Sequence, residues 1–164
     1  MLSRTKRQPL TRPPSRRTLL TAGLAGTSLL AGGWGLTACS STDRQEAAVA
    51  ADSDRLRKRA AKDTAALLAA YDATVSTHPR LAGELRPIRA DLARHLTAFG
   101  GSRTPAGSAR VPARPDAARA ALADATRRSA DRAATDLLTA PPDLARLLAS
   151  VAAARAGHVL LLGS

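Results

Sequence analysis

The sequence predicts an all-α fold, an antiparallel four-helix bundle lying behind an N-terminal export segment. Three observations predict it. From Leu56 to Leu162 apolar residues recur in steps of three or four, as one face of a helix requires. No stretch alternates with period two, so strands have no signal. Pro79, Gly100-Gly101 and Pro141-Pro142 then divide the chain into four helical stretches of similar length.

Residues 1–38 read as an address rather than as part of the fold. Arg4, Lys6, Arg7 and Arg12 with Pro9, Pro13 and Pro14 make a basic leader, Arg16-Arg17 is a twin-arginine pair, and an uncharged run from Leu19 to Leu36 comes next. Small residues, Thr37 and Ala38, then stand directly before Cys39, the one cysteine. This arrangement resembles the twin-arginine export signal of a bacterial lipoprotein. It implies cleavage after Leu36-Thr37-Ala38, acyl chains such as palmitate on Cys39, and a protein held at the extracytoplasmic face of the cell membrane. One cysteine makes no internal disulfide, and lipid attachment explains it better than a free thiol. Gly23, Gly26, Gly32, Gly33 and Gly35 weaken the apolar run as a membrane span, so uncleaved anchoring is the lesser alternative.

Residues 39–51 are small and polar and read as a flexible tether, with the bundle domain at 52–164. Asp52 is a candidate cap for a first helix whose stripe is Leu56, Ala60, Thr64, Leu67, Tyr71 and Val75. Pro79 stops it and starts a second, with Leu81, Leu85, Ile88, Leu92, Leu96 and Phe99 inward. Pro87 lies inside that helix, so a kink or short break is expected near Leu85. Gly100-Gly101 ends it, and Pro105, Gly107 and Pro112 mark a long loop, of a length that points to a crossover or a mobile surface segment. The third helix, from Asp116 to Leu138, offers a narrow face of Ala118, Leu122, Ala125, Ser129 and Ala133, which buries little area and predicts the least stable helix. The fourth, from Asp143, turns Leu144, Leu147, Leu148, Val151, Val159 and Leu162 inward.

Charge bounds the function. The chain carries +12, yet six of its basic residues precede Cys39; residues 39–164 hold 19 basic and 13 acidic side chains, a net of +6. That favours anionic headgroups or wall polymers. Nucleic acid is excluded as a partner, because Tyr71 and Phe99 are the only aromatics after Cys39 and no recognition motif occurs. No nucleophile elbow, phosphate loop or paired glutamates point to catalysis, and no small-molecule substrate is indicated.

Polar residues inside the stripes carry the remaining information. Stepping about 100° per residue, His95 falls about 40° from Leu81, with Glu84 and Asp91 at the edge of the core arc. On the fourth helix Arg155 lies about 20° from Leu144 and His158 about 40° away on the other side. A guanidinium aimed at a core needs partners, and Asp91, Glu84, Asp72 and Asp63 are the candidates for a core ion pair with Arg155. His78, before Pro79, reads as a turn or cap residue.

The spans AAYDATVSTHPRLAGELRPIRADLARHLTAFGG and PPDLARLLASVAAARAGHVLLLG resemble the small ferritin-like lipoproteins of actinobacteria. The resemblance implies a bundle whose centre holds metal through carboxylates and a Glu-x-x-His from each of two helices. Here Arg155-x-x-His158 replaces one such motif, Asp91-x-x-x-His95 stands for the other, and Thr126 or Ser129 takes a ligand's place. The expectation is therefore a bundle without a cofactor, Arg155 standing where the metal would be. The alternative is one iron, copper or zinc ion on His95, His158 and Asp91, opposed by the fixed charge of Arg155. A metal-competent ferritin-like relative is a candidate protein partner, besides the membrane itself.

Overall fold

A computed structural model of the chain describes residues 36–103 and 110–163, with side chains from residue 41 onward. Arg16, Arg17, Pro105 and Gly107 lie outside the described residues. Thr37 to Ser164 forms one compact unit. The described residues are all-helical and contain no strand: α1 (Leu36–Thr77), a 3-10 turn (Pro79–Leu81), α2 (Ala82–Ala98), α3 (Pro115–Asp136) and α4 (Pro142–Leu162).

The first helix is longer than expected. It begins at Leu36 instead of Asp52, so the expected flexible tether is helical backbone, exposed at every position from 41 to 52. The reason lies in propensity rather than in packing. Ala, Gln, Glu and Arg are good helix formers, and lengthening a helix already nucleated by its packed half costs little.

Pro79 does not sit in the first turn of α2. It opens the 3-10 turn, whose Leu81 is buried, and α2 begins at Ala82. Nor is there a break at Pro87, which lies within a continuous helix. The carbonyl four residues earlier belongs to Gly83, an exposed position, so the acceptor left without a helical donor is open to solvent. The end of α2 has a specific device. Gly100 adopts φ +74°, Gly100 N–H donates to Thr97 O and Gly101 N–H to Leu96 O, both at 2.9 Å. These are the paired bonds of a Schellman cap. Gly101 is glycine for a second reason: a Cβ there would collide with the Leu96 side chain and lie 3.0 Å from Ala61 Cβ.

The apolar stripes of α1, α2 and α4 point inward much as the spacing predicts, with Val75, Leu147 and Val159 half-buried at their margins. On α3 the seam is shifted. Ala125 is half-buried, while Thr126 and Ala130 join Ala118, Leu122, Ser129 and Ala133 inside. The core is divided in two. One cluster holds Leu67, Leu68, Tyr71, Leu85, Leu92, Leu122 and Leu162; the other holds Leu56, Phe99, Ala133, Leu144, Leu148 and Val151. Between the two clusters lie the buried Thr64 on α1, Thr126, Ser129 and Ala130 on α3, and Arg155 and His158 on α4. A polar layer therefore separates them.

Candidate functional site

The polar layer is built by helix spacing. Thr64 lies one turn after Ala60 on α1, Ser129 one turn before Ala133 on α3, and Arg155 one turn after Val151 on α4. Each is thus carried inward by the apolar neighbours that anchor its helix. Arg155 is 2% exposed. Its Nη2 donates to Thr64 Oγ1 at 2.6 Å and its Nη1 to Ser129 O at 3.3 Å. Thr64 spends its own hydroxyl proton on Ala60 O at 2.6 Å, which leaves a lone pair for the guanidinium. Arg155 Nε and Ser129 Oγ are buried with no partner. Burial lowers the Arg155 pKa to about 10; Asp63 nearby acts to raise it and Arg132 to lower it, and the group stays charged at neutral pH.

The expected core ion pair does not form. Every acid named for it is held by another cation. Asp63 Oδ2 accepts from Arg132 Nε at 2.7 Å, Asp72 Oδ1 from Arg89 Nε at 2.7 Å, and Glu84 Oε2 from Arg119 Nη2 at 3.3 Å. Asp91 is shared between Arg94 and His158, whose Nε2 donates to Asp91 Oδ2 at 3.1 Å. The physical reason is supply and solvation. Acids at the margin of a stripe reach half-exposed arginines without being stripped of water, whereas meeting Arg155 would require burying the carboxylate as well.

His158 is buried and His95 half-buried, and Nδ1 of each lacks a partner. They are close enough for the charge of His158, and for that of Arg155, to be felt at His95. Among the described residues no group of three or more His, Cys, Asp or Glu side chains is placed to hold a metal ion. Of the alternative ligand set, only His158 and Asp91 touch. His158 and Asp91 thus offer one bonded pair, and the charge of Arg155 opposes a further cation at His95.

Burial, then the charges of Arg155, His158 and Arg94, push His95 below its ordinary 6.5, with Asp91 acting the other way. The folded protein thus keeps His95 neutral where the unfolded chain already binds a proton. Stability from this group is complete above 6.5 and is lost as pH falls through that value toward the lowered one. Thermal melts from neutral to mildly acidic pH should show a fall in Tm that His95→Gln flattens; an unchanged slope in the variant would assign the fall to other groups.

Sequence reasoning missed two contacts. His78 makes no cap bond; its Nε2 meets Pro112 O at 2.8 Å and so ties the returning loop to the α1–α2 turn. Tyr71, fully buried, bonds Thr126 Oγ1 at 2.8 Å, and Thr126 is also bonded to Leu122 O at 2.7 Å. A Tyr and a Thr in adjoining stripes were the signal for that bond. Of the export residues, Leu36, Thr37, Ala38 and Cys39 form the first backbone turn of α1. No family profile, curated protein or solved structure matches this chain.

Proposed function

We propose that this chain is a lipid-anchored helical-bundle protein of the extracytoplasmic membrane face, with a structural or partner-binding role and no catalysis. The observation that carries this reading is the Arg155 layer. A cation supplied by the chain itself, fixed by Thr64 and Ser129, stands at the middle of the helices, while the nearby acids serve surface arginines. A ferritin-like oxidase or metal store needs those acids turned inward.

The contacts also support a ferritin-like helix order, with a crossover between α2 and α3. Arg89–Asp72 together with Arg57–Ala98 O favours α2 antiparallel to α1. Arg132–Asp63 together with Arg59–Asp136 does the same for α3. These pairs favour α2 and α3 running the same way, as does Arg119–Glu84 near their starts, which is the order a crossover would give. Leu144 shares one core cluster with Leu56 and Leu162 the other with Tyr71, which supports α4 parallel to α1.

Partner binding is supported by α4, the described helix long and apolar enough to cross a membrane. The buried Arg155 favours a core helix over a span. Its outward face from Ala149 onward carries Ala153, Ala156, Gly157 and Leu160 with no charge, and Leu160 is 76% exposed. Such a face suits close approach by an uncharged helix of an envelope protein, a metal-competent ferritin-like relative among them. The helical start of α1 makes the link to Cys39 a stalk. Leu56, the first buried residue among the side chains described, lies 17 residues beyond Cys39, or about 25 Å at helical rise.

Changing Cys39 to Ala should move a folded protein from the membrane fraction to the soluble extracytoplasmic fraction. Retention of the variant in the membrane would contradict the lipid anchor and favour an uncleaved span.

A further inference from the structure

We infer that the polar layer binds a chloride-sized monoanion between Arg155 on α4 and Ser129 on α3. Two buried groups there have a hydrogen to donate and no acceptor: the Nε–H of Arg155 and the hydroxyl of Ser129, which is 1% exposed. They are neighbours, because Arg155 Nη1 already rests on the carbonyl of Ser129. The nearest hydroxyl cannot serve as acceptor for both, since Thr64 Oγ1 is committed to Arg155 Nη2 and Ala60 O. Unmet buried donors of this kind are rare in native proteins and call for an unassigned acceptor.

Charge selects the acceptor. Around Arg155 the negative charge of Asp63 is partly offset by Arg132, bonded to it at 2.7 Å. On the histidine side the charge of Asp91 is cancelled by Arg94. The guanidinium is left as an incompletely compensated buried cation, and one monovalent anion removes the surplus while accepting from Nε–H and Oγ–H. The inference shares with the proposed function only the position of Arg155; it concerns what Arg155 holds, and it stands whether or not α4 docks a partner.

The test uses the full chain in detergent. Crystals soaked in bromide should give an anomalous peak between Arg155 Nε and Ser129 Oγ. Replacing isethionate by chloride at fixed ionic strength should raise Tm, and the rise should vanish in Ser129→Ala, which keeps the guanidinium, and in Arg155→Leu. No bromide at this position, or a melting temperature indifferent to halide in the parent chain, would overturn the inference and leave water as the acceptor. A metal at this position would overturn both this inference and the proposed function.

Discussion

Arg155→Ala should lose about 3 to 5 kcal/mol of stability, while Arg155→Leu should stay within about 1 kcal/mol of the parent chain. The asymmetry comes from the surroundings of the side chain. Arg155 is buried between Val151 and Leu162, so alanine leaves a void bordered by polar atoms. Leucine fills much of that volume, and the groups released by the guanidinium keep other partners. Thr64 still donates to Ala60 O. Ser129 O is the carbonyl of a residue inside α3, where the helix supplies a donor of its own. Asp63 retains Arg132. Urea denaturation reads both variants. If leucine proves as damaging as alanine, the charge itself holds the core together; if neither matters, the side chain lies in solvent.

Tyr71→Ala should be the most damaging change on α1, at about 3 to 5 kcal/mol, because Tyr71 is fully buried in one core cluster with Leu85, Leu92 and Leu122. In a domain whose whole stability is about 5 to 15 kcal/mol, that removes a large share. Tyr71→Phe should cost only about 1 kcal/mol. It deletes one hydrogen bond, and Thr126 keeps its bond to Leu122 O. A shift in urea midpoint with an unchanged m-value would report these losses as stability. A Phe variant as weak as the Ala variant would mean that the phenol's bond, rather than its ring, organises the core.

Much of the fold was legible because large apolar side chains mark a helix face without ambiguity. Leu85, Leu92, Leu144 and Leu148 have no stable place but inside, and they lie there. The third helix was less legible for the converse reason. Alanine is tolerated on either face, so Ala125 and Ala130 could not be ranked from the wheel, and tertiary packing shifted the seam toward Thr126 and Ala130. The helix over residues 41–52 was hidden because periodicity marks only helices with a buried face. This segment has none, and only its helix-forming composition pointed to the structure.

The site divided along a similar line. The inward angle of Arg155 is fixed by its spacing to Leu144 and Leu148, and that spacing is local. The partners of Asp63, Asp72, Glu84 and Asp91 are long-range choices among many arginines. An acid at a stripe's edge swings to the wet side when an arginine waits there, and four of them did.

The proposed absence of a metal centre rests on the guanidinium of Arg155, fixed by Thr64 and Ser129. Elemental analysis of the purified full chain after exposure to iron, copper and zinc tests it most directly. Bound metal should stay far below one ion per chain, unchanged by His95→Ala and His158→Ala. Stoichiometric metal that disappears when either histidine is replaced would contradict it.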